Sequence, residues 1–280
     1  MNRRKFIKNG IIAGGISGIG LGVYANQVEP FWLEIVHKKM PINFLPKELE
    51  GATLMQISDI HVGDRFDYHF IIDSFVKAQK LLPEFVVYTG DFISYKQGYN
   101  YDELKEVMQS TVKGRMGTFG ILGNHDYGIN WAEQSVADNV SEILTDGGIE
   151  LLENSGLQSN GLNFIGLDDY YGPNFDPKLV MSQHDGQQAN IVLCHNPDVC
   201  DLNVWSDYKG WILAGHTHGG QCKPPFLNPP VLPIKNKKYI SGEVDLEDGR
   251  TLYVNRALGH LWQVRFNVRP EITMFTLEKA

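Results

Sequence analysis

The stretch "GWILAGHTHGG", residues 210–220, decides how this chain is read. An apolar run, Trp211 to Ala214, feeds into two histidines, His216 and His218, framed by three glycines. Side chains at i and i+2 point apart on a helix but share a face on extended chain. The spacing therefore excludes the i, i+4 helical zinc pair of an HExxH protease. It predicts a strand running into a turn, with both imidazoles aimed at one spot.

The same grammar recurs from about residue 51. Short apolar runs end in polar, glycine-marked turns: "ATLMQISDIH" (52–61), "EFVVYTGDF" (84–92), "GTFGILGNHD" (117–126), "LNFIGLDD" (162–169), "ANIVLCHNP" (189–197) and "TLYVNRALG" (251–259). Each reads as a buried strand of four to six residues. Helical periodicity occupies roughly 68–82, 102–113 and 131–147, with Asp67 as an N-cap and Gly147-Gly148 as a stop. Strands alternating with helices predict an α/β layered fold. Two stretches break the rhythm. Residues 170–188 form a long excursion, and residues 223–238 hold five prolines and four lysines with no acid. The second stretch starts directly after the histidine pair, which suggests a lip that meets an anionic amphiphile or a lipid surface.

The 280 residues are 42% hydrophobic and 21% charged, enough for a sizeable buried core. Net charge is −8, yet residues 1–25 carry Arg3, Arg4, Lys5 and Lys8 and no acid, leaving −12 on the remainder. So acidic a body argues against nucleic acid as a partner, since phosphate backbones are held by Lys and Arg. "MNRRKFIKNG" followed by "IIAGGISGIGLGVYA" reads as a signal segment over 1–25, with the working domain over 26–280. "RRKFIK" resembles the twin-arginine export signal, which makes the twin-arginine machinery an expected partner. It places the protein in the periplasm or on the outer face of the cytoplasmic membrane, with residues 10–25 either cleaved or kept as an anchor. "GLGVYA" mimics a dinucleotide fingerprint but lacks the strand, helix and distal acid that fingerprint needs. Cys194, Cys200 and Cys222 are an odd number, and no disulfide network is expected.

Metal-competent residues fall at the strand ends. Asp59 and His61 follow the first strand of the rhythm, Asp91 the second, and Asn124, His125 and Asp126 the third. His195 follows "IVLC", and His216 and His218 follow "WILAG". Ligand sites in open α/β sheets gather beyond the carboxyl ends of strands. Five such ends here hold three aspartates, an asparagine and five of the nine histidines.

The ordered set D-x-H, G-D, G-N-H-D, H and G-H-T-H resembles the calcineurin-like metallophosphoesterase superfamily, over about Thr53 to Gln221. "VRFNVRPEIT" (264–273) is similar to its small bacterial, exported or membrane-associated branch. The resemblance implies a four-layer α/β/β/α sandwich with a dimetal site at the C-terminal ends of the strands. One metal would take Asp59, His61 and His218, the other Asn124, His195 and His216, with Asp91 bridging. His125 would be a catalytic residue that is not a ligand, held in orientation by Asp126; an N-cap before the following helix is the rival role for Asp126. Ser94 stands where members often carry a further Asp.

Imidazole and carboxylate donors suit Mn, Zn or Fe. Two such divalent ions would share a carboxylate and present a bridging hydroxide for in-line attack on phosphorus. The expected activity is hydrolysis of a phosphodiester or pyrophosphate bond. The expected substrate is a phosphate ester, small or lipid-linked, such as a UDP-2,3-diacylglucosamine-type molecule. The alternatives are a phosphomonoesterase or a non-catalytic metal- or envelope-binding protein. His37, His69, His184 and His260 read as surface or packing residues, and Asp168 and Asp169 as a turn that could face substrate. Arg265 reads as a solvent-facing strand position or a phosphate grip.

Overall fold

The computed structural model describes residues 18–63, 65–94 and 101–280. Two six-stranded sheets lie face to face. The first holds β1 (Glu34–Ile42), β2 (Thr53–Ile57), β3 (Phe85–Thr89), β4 (Gly117–Ile121), β5 (Glu150–Leu151) and, last in the chain, β12 (Glu271–Lys279). Their order is β1-β12-β2-β3-β4-β5, with β2 to β5 parallel and β12 antiparallel to β2. The second holds β6 (Ser155–Ser159), β7 (Leu162–Gly166), β8 (Ala189–Leu193), β9 (Gly210–Ala214), β10 (Gly242–Asp245) and β11 (Arg250–Val254). Its order is β10-β11-β9-β8-β7-β6, with the four central strands parallel and both edge strands antiparallel.

Alternation along continuous apolar strands divides the core. Phe85 and Val87 of β3 face the space between the sheets, while Val86 and Tyr88 face the helices. On β9, Trp211 and Leu213 point inward, and Ile212 and Ala214 point to the outer layer. A strand buried on both faces must be apolar throughout, which is why these runs show no polar alternation.

Helices α1 (His69–Gln79), α2 (Tyr101–Met108) and α3 (Gln134–Asp146) cover the first sheet through Phe70, Phe75, Leu104, Val107, Val140 and Leu144. Asp67 accepts the His69 backbone N–H at 3.0 Å at the start of α1, and α3 stops at Gly147, followed by Gly148 at φ +89°. The second sheet carries a thinner cover. It consists of the short α4 (Pro177–Met181), the 3₁₀ turn Pro197–Asp201, and loop residues such as Ile234 and Tyr239. The two arrhythmic stretches thus supply much of the fourth layer, and neither is a linker.

β1 and β12 pair in parallel over nine residues, from Glu34↔Glu271 to Ile42↔Lys279, and extend the first sheet beyond the part where the rhythm is visible. Most of the expected signal segment, residues 1–17, lies outside the described residues. Among the described residues no helix is long and apolar enough to cross a membrane. All three cysteines are free.

Candidate metal centre

The loops after β2, β3, β4, β8 and β9 meet between the two sheets' edges. Asp59, His61 and His218 form one buried group whose ligand atoms lie within 4.8 Å of one another. Asp91, His195 and His216 form a second, equally buried. Asp91 Oδ2 connects them, 3.5 Å from His61 Nε2 and 3.1 Å from His195 Nε2. Its other oxygen accepts the His125 backbone N–H at 2.9 Å. Asn124 sits next to that bond, with a buried Oδ1 that has no hydrogen-bond partner.

Second partners fix which ring nitrogen His195 and His216 present. His195 Nδ1 lies 2.8 Å from the Thr89 carbonyl, leaving Nε2 for the centre. His216 Nε2 lies 3.1 Å from the Pro233 carbonyl, leaving Nδ1 for the centre. A carbonyl requires a donor, so in each neutral ring the other nitrogen carries the lone pair, and these two nitrogens face each other at 3.2 Å. His61 and His218 likewise bring their Nε2 atoms to 2.9 Å. Paired ring nitrogens, an orphaned amide oxygen and converging carboxylates are a donor set for cations. Their imidazole-rich composition fits divalent Mn, Zn or Fe.

Charge follows the same logic. Burial opposes ionisation of Asp59, but His218 and His195 outweigh it and hold the carboxyl at about 2. Burial also opposes the Asp91 carboxylate, and His195 and His125 prevail, keeping it well below the usual range. Burial, with a contribution from His195, pushes His216 down to about 4, so its ring is neutral and free to ligate.

The backbone is strained where these groups sit. Asp59, His61, Asp91, His216 and His218 all adopt left-handed conformations, with φ of +51°, +47°, +56°, +69° and +51°. Non-glycine residues rarely do so, and each instance costs about 1–3 kcal/mol. Two glycines make room. A Cβ at Gly123 would collide with the Asp91 carboxylate, and one at Gly215 with Ser58 Oγ and the Asp59 carboxylate. What these glycines admit is the carboxylates. Ser58, which sequence reasoning missed, donates to Asp59 Oδ2 at 2.5 Å, and the His216 N–H reaches both oxygens of Asp59 at 3.0 and 3.1 Å.

His125 differs from its neighbours. It belongs to neither donor group and is only half-buried. Its ring meets that of His61 edge-on at 5.0 Å, and its Nδ1 has no partner. Asp126 does not orient it. The Asp126 carboxylate accepts the N–H groups of Phe92 (2.8 Å), Ile93 (3.2 Å) and Gly123 (2.8 Å), clamping the G-N-H-D turn to the chain after β3. Nor is it the N-cap of α3, since it closes its own 3₁₀ turn. Both expected roles give way to backbone bracing.

The remaining candidates resolve into structure. Ser94 Oγ donates to the His61 carbonyl at 3.1 Å, bracing the D-x-H loop. Arg265 is wholly buried and donates to the carbonyls of Arg256, Ala257, Gly259 and Val268, so it neither meets solvent nor grips a phosphate. His260 is packed among Phe31, Phe66 and Phe70. Asp168 accepts from Tyr127 Oη at 2.5 Å, and Asp169 accepts the Tyr171 N–H at 2.8 Å, both as turn residues. Lys237 is turned back onto the Leu232 and Ile234 carbonyls, whereas Phe226, Leu227 and Val231 of the same loop are exposed.

Residues 52–220 match the family model described as calcineurin-like phosphoesterase. The chain is 30% identical to the uncharacterized metallophosphoesterase YkuE of Bacillus subtilis, across 100% of this chain and 99% of that one. It is 26% identical to phosphodiesterase YaeI of Escherichia coli, across 99% of each. It is 29% identical to UDP-2,3-diacylglucosamine pyrophosphatase LpxG of Chlamydia trachomatis, across 90% of this chain and 91% of that one. The family uses a dimetal centre, and the paired donor groups above are where this chain would hold it. With the strand-end motifs, the two facing sheets and the full-length likenesses in agreement, this protein belongs to the calcineurin-like phosphoesterases and is a hydrolase of phosphoric esters.

Proposed function

We propose that the centre hydrolyses a phosphodiester or pyrophosphate bond, in a lipid- or nucleotide-linked sugar such as UDP-2,3-diacylglucosamine. The observation that carries this is His125. It stands beside both donor groups, joins neither, and is the one partly exposed ring among them. A histidine so placed can give a proton to a departing alkoxide or phosphate, or hold its charge. The likeness to the phosphodiesterase and the pyrophosphatase favours a diester or anhydride over a monoester.

Asp59, His61 and His218 would hold one divalent ion, and Asn124, His195 and His216 the other, with Asp91 between them. When bound, two such ions supply charge stabilisation and water activation. Asp91 fixes His125 through the backbone N–H, so bridging and acid–base functions share one anchor. Mn, Zn or Fe suits the donors. Metal analysis paired with rates on bis-p-nitrophenyl phosphate and p-nitrophenyl phosphate tests the proposal. Two metals per chain and a preference for the diester are expected. A preference for the monoester would reassign the reaction.

The paired arginines at residues 3 and 4, ahead of a glycine-diluted apolar run, support export by the twin-arginine route. The exposed apolar tip at Phe226, Leu227 and Val231, near four lysines, supports contact with an anionic membrane surface.

A further inference from the structure

We propose that Trp131, Tyr171 and Tyr170 form a shelf that stacks the nucleobase of a nucleoside diphosphate ester, delivering its pyrophosphate to the metal centre. The proposal deepens the diester or pyrophosphate reading of that centre and rests on it. A continuous run of rings leads outward from the candidate ligands. The His216 ring lies 6.0 Å from that of Tyr171, Tyr171 lies 4.8 Å from Trp131 and 5.1 Å from Tyr170. At the outer end, Lys235 Nζ reaches Tyr170 Oη at 3.2 Å and lies 5.4 Å from the ring centroid. A lysine ammonium has three donors, so this contact leaves others for a phosphate oxygen.

The shelf is built under strain. Asn130 and Trp131 are consecutive left-handed residues, at φ +55° and +59°, following Gly128 at +67°. For a residue as bulky as tryptophan this is a genuine outlier, retained only where the surroundings impose it. Here the imposition is local. The Glu133 N–H reaches the Tyr127 carbonyl at 2.7 Å, and Tyr127 Oη is tied to Asp168. Trp131 keeps 37% of its surface exposed, and Tyr170 and Tyr171 are half-buried. A large ring held strained, exposed and against another ring offers a π face to a ligand.

The nearby acids select the ligand. Asp168 is occupied by Tyr127 Oη and the Asp169 N–H, and Asp169 Oδ1 by the Tyr171 N–H. Asp169 Oδ2 is buried and unpartnered, so it stands behind the rings and does not reach the exposed shelf. The exposed surface offers aromatic faces, a cation at their outer end and the metal centre at their inner end, which match a base, an anionic oxygen and the scissile phosphorus. Bases stack on aromatic side chains without needing hydrogen-bond readout.

The experiment uses the full chain loaded with Mn, and UMP, AMP, ribose 5-phosphate and inorganic phosphate as probes, followed by tryptophan fluorescence and calorimetry. Both nucleotides should bind at least tenfold more tightly than ribose 5-phosphate, equivalent to about 1.4 kcal/mol. Trp131→Ala should erase that margin and the fluorescence change, while leaving inorganic phosphate binding within about twofold. Trp131→Phe should restore most of the margin. Equal binding of UMP and ribose 5-phosphate by the wild type, or an unaltered margin in Trp131→Ala, would overturn the shelf even in an active diesterase. Tight, Trp131-dependent UMP binding without hydrolysis of any diester or pyrophosphate would instead overturn the functional reading alone.

Discussion

The backbone N–H of His125 donates to Oδ1 of Asp91 at 2.9 Å, so the residue between the donor groups also sets the position of the non-ligand histidine. Substituting the two should therefore separate their roles. Asp91→Asn should lose metal and activity together. His125→Ala should keep near wild-type metal content while turnover falls about 10²–10⁴-fold, the usual scale for an acid–base group. That loss should be smaller for p-nitrophenolate than for an alkoxide leaving group. Loss of a metal ion in His125→Ala, read by elemental analysis, would remove His125 from the acid–base role.

His216 and His218, two residues apart, fall in different donor groups. Each alanine variant should retain about one ion per chain. Adding His195→Ala to His216→Ala should cost no further ion, whereas adding His61→Ala should empty the centre. Stoichiometry by elemental analysis distinguishes this from a single shared ion, for which every single variant would be empty.

Asp126→Ala strands three buried backbone donors at Phe92, Ile93 and Gly123. Each such group left unpaired costs about 1–3 kcal/mol, so a loss of at least about 3 kcal/mol in unfolding free energy is expected. Denaturant unfolding measures it. Because the Asp126 carboxylate bonds these backbone groups and not the His125 ring, the dependence of rate on leaving-group acidity should stay as in the wild type. A changed leaving-group slope with unchanged stability would return Asp126 to the proton relay.

Arg3→Lys with Arg4→Lys should block export and leave an active enzyme inside the cell, as followed by fractionation. Export at the normal rate would exclude the twin-arginine route. Independently, Phe226→Ser with Val231→Ser should weaken sedimentation with phosphatidylglycerol vesicles, by about tenfold if both side chains enter the interface. Unchanged sedimentation would leave the loop as ordinary cover for the second sheet.

Much of the centre was legible in the chain because strand ends are local. An apolar run followed by Asp-x-His, Gly-Asp, Gly-Asn-His-Asp or Gly-His-Thr-His announces both the element and the group presented at its tip. Strands β2, β3, β4, β8 and β9, the three covering helices and the packing histidines follow from the same periodicities. β1, β6, β10 and β12 were not foreseen. The polar alternation of edge strands such as β6 and β10 resembles loop, and β12 joins β1 across more than two hundred residues.

The sequence by itself determined which side chains the strand ends carry, because a period of two and a glycine turn are written in neighbouring residues. Tertiary structure decided what those side chains do. The Thr89 and Pro233 carbonyls choose the nitrogens that His195 and His216 present. Three backbone amides claim Asp126, four carbonyls claim Arg265, and a strained turn sets Trp131 against Tyr171. Backbone donors and acceptors look identical at every residue of a sequence. Only the folded chain brings particular ones within reach of a particular side chain, and once buried there each must be satisfied.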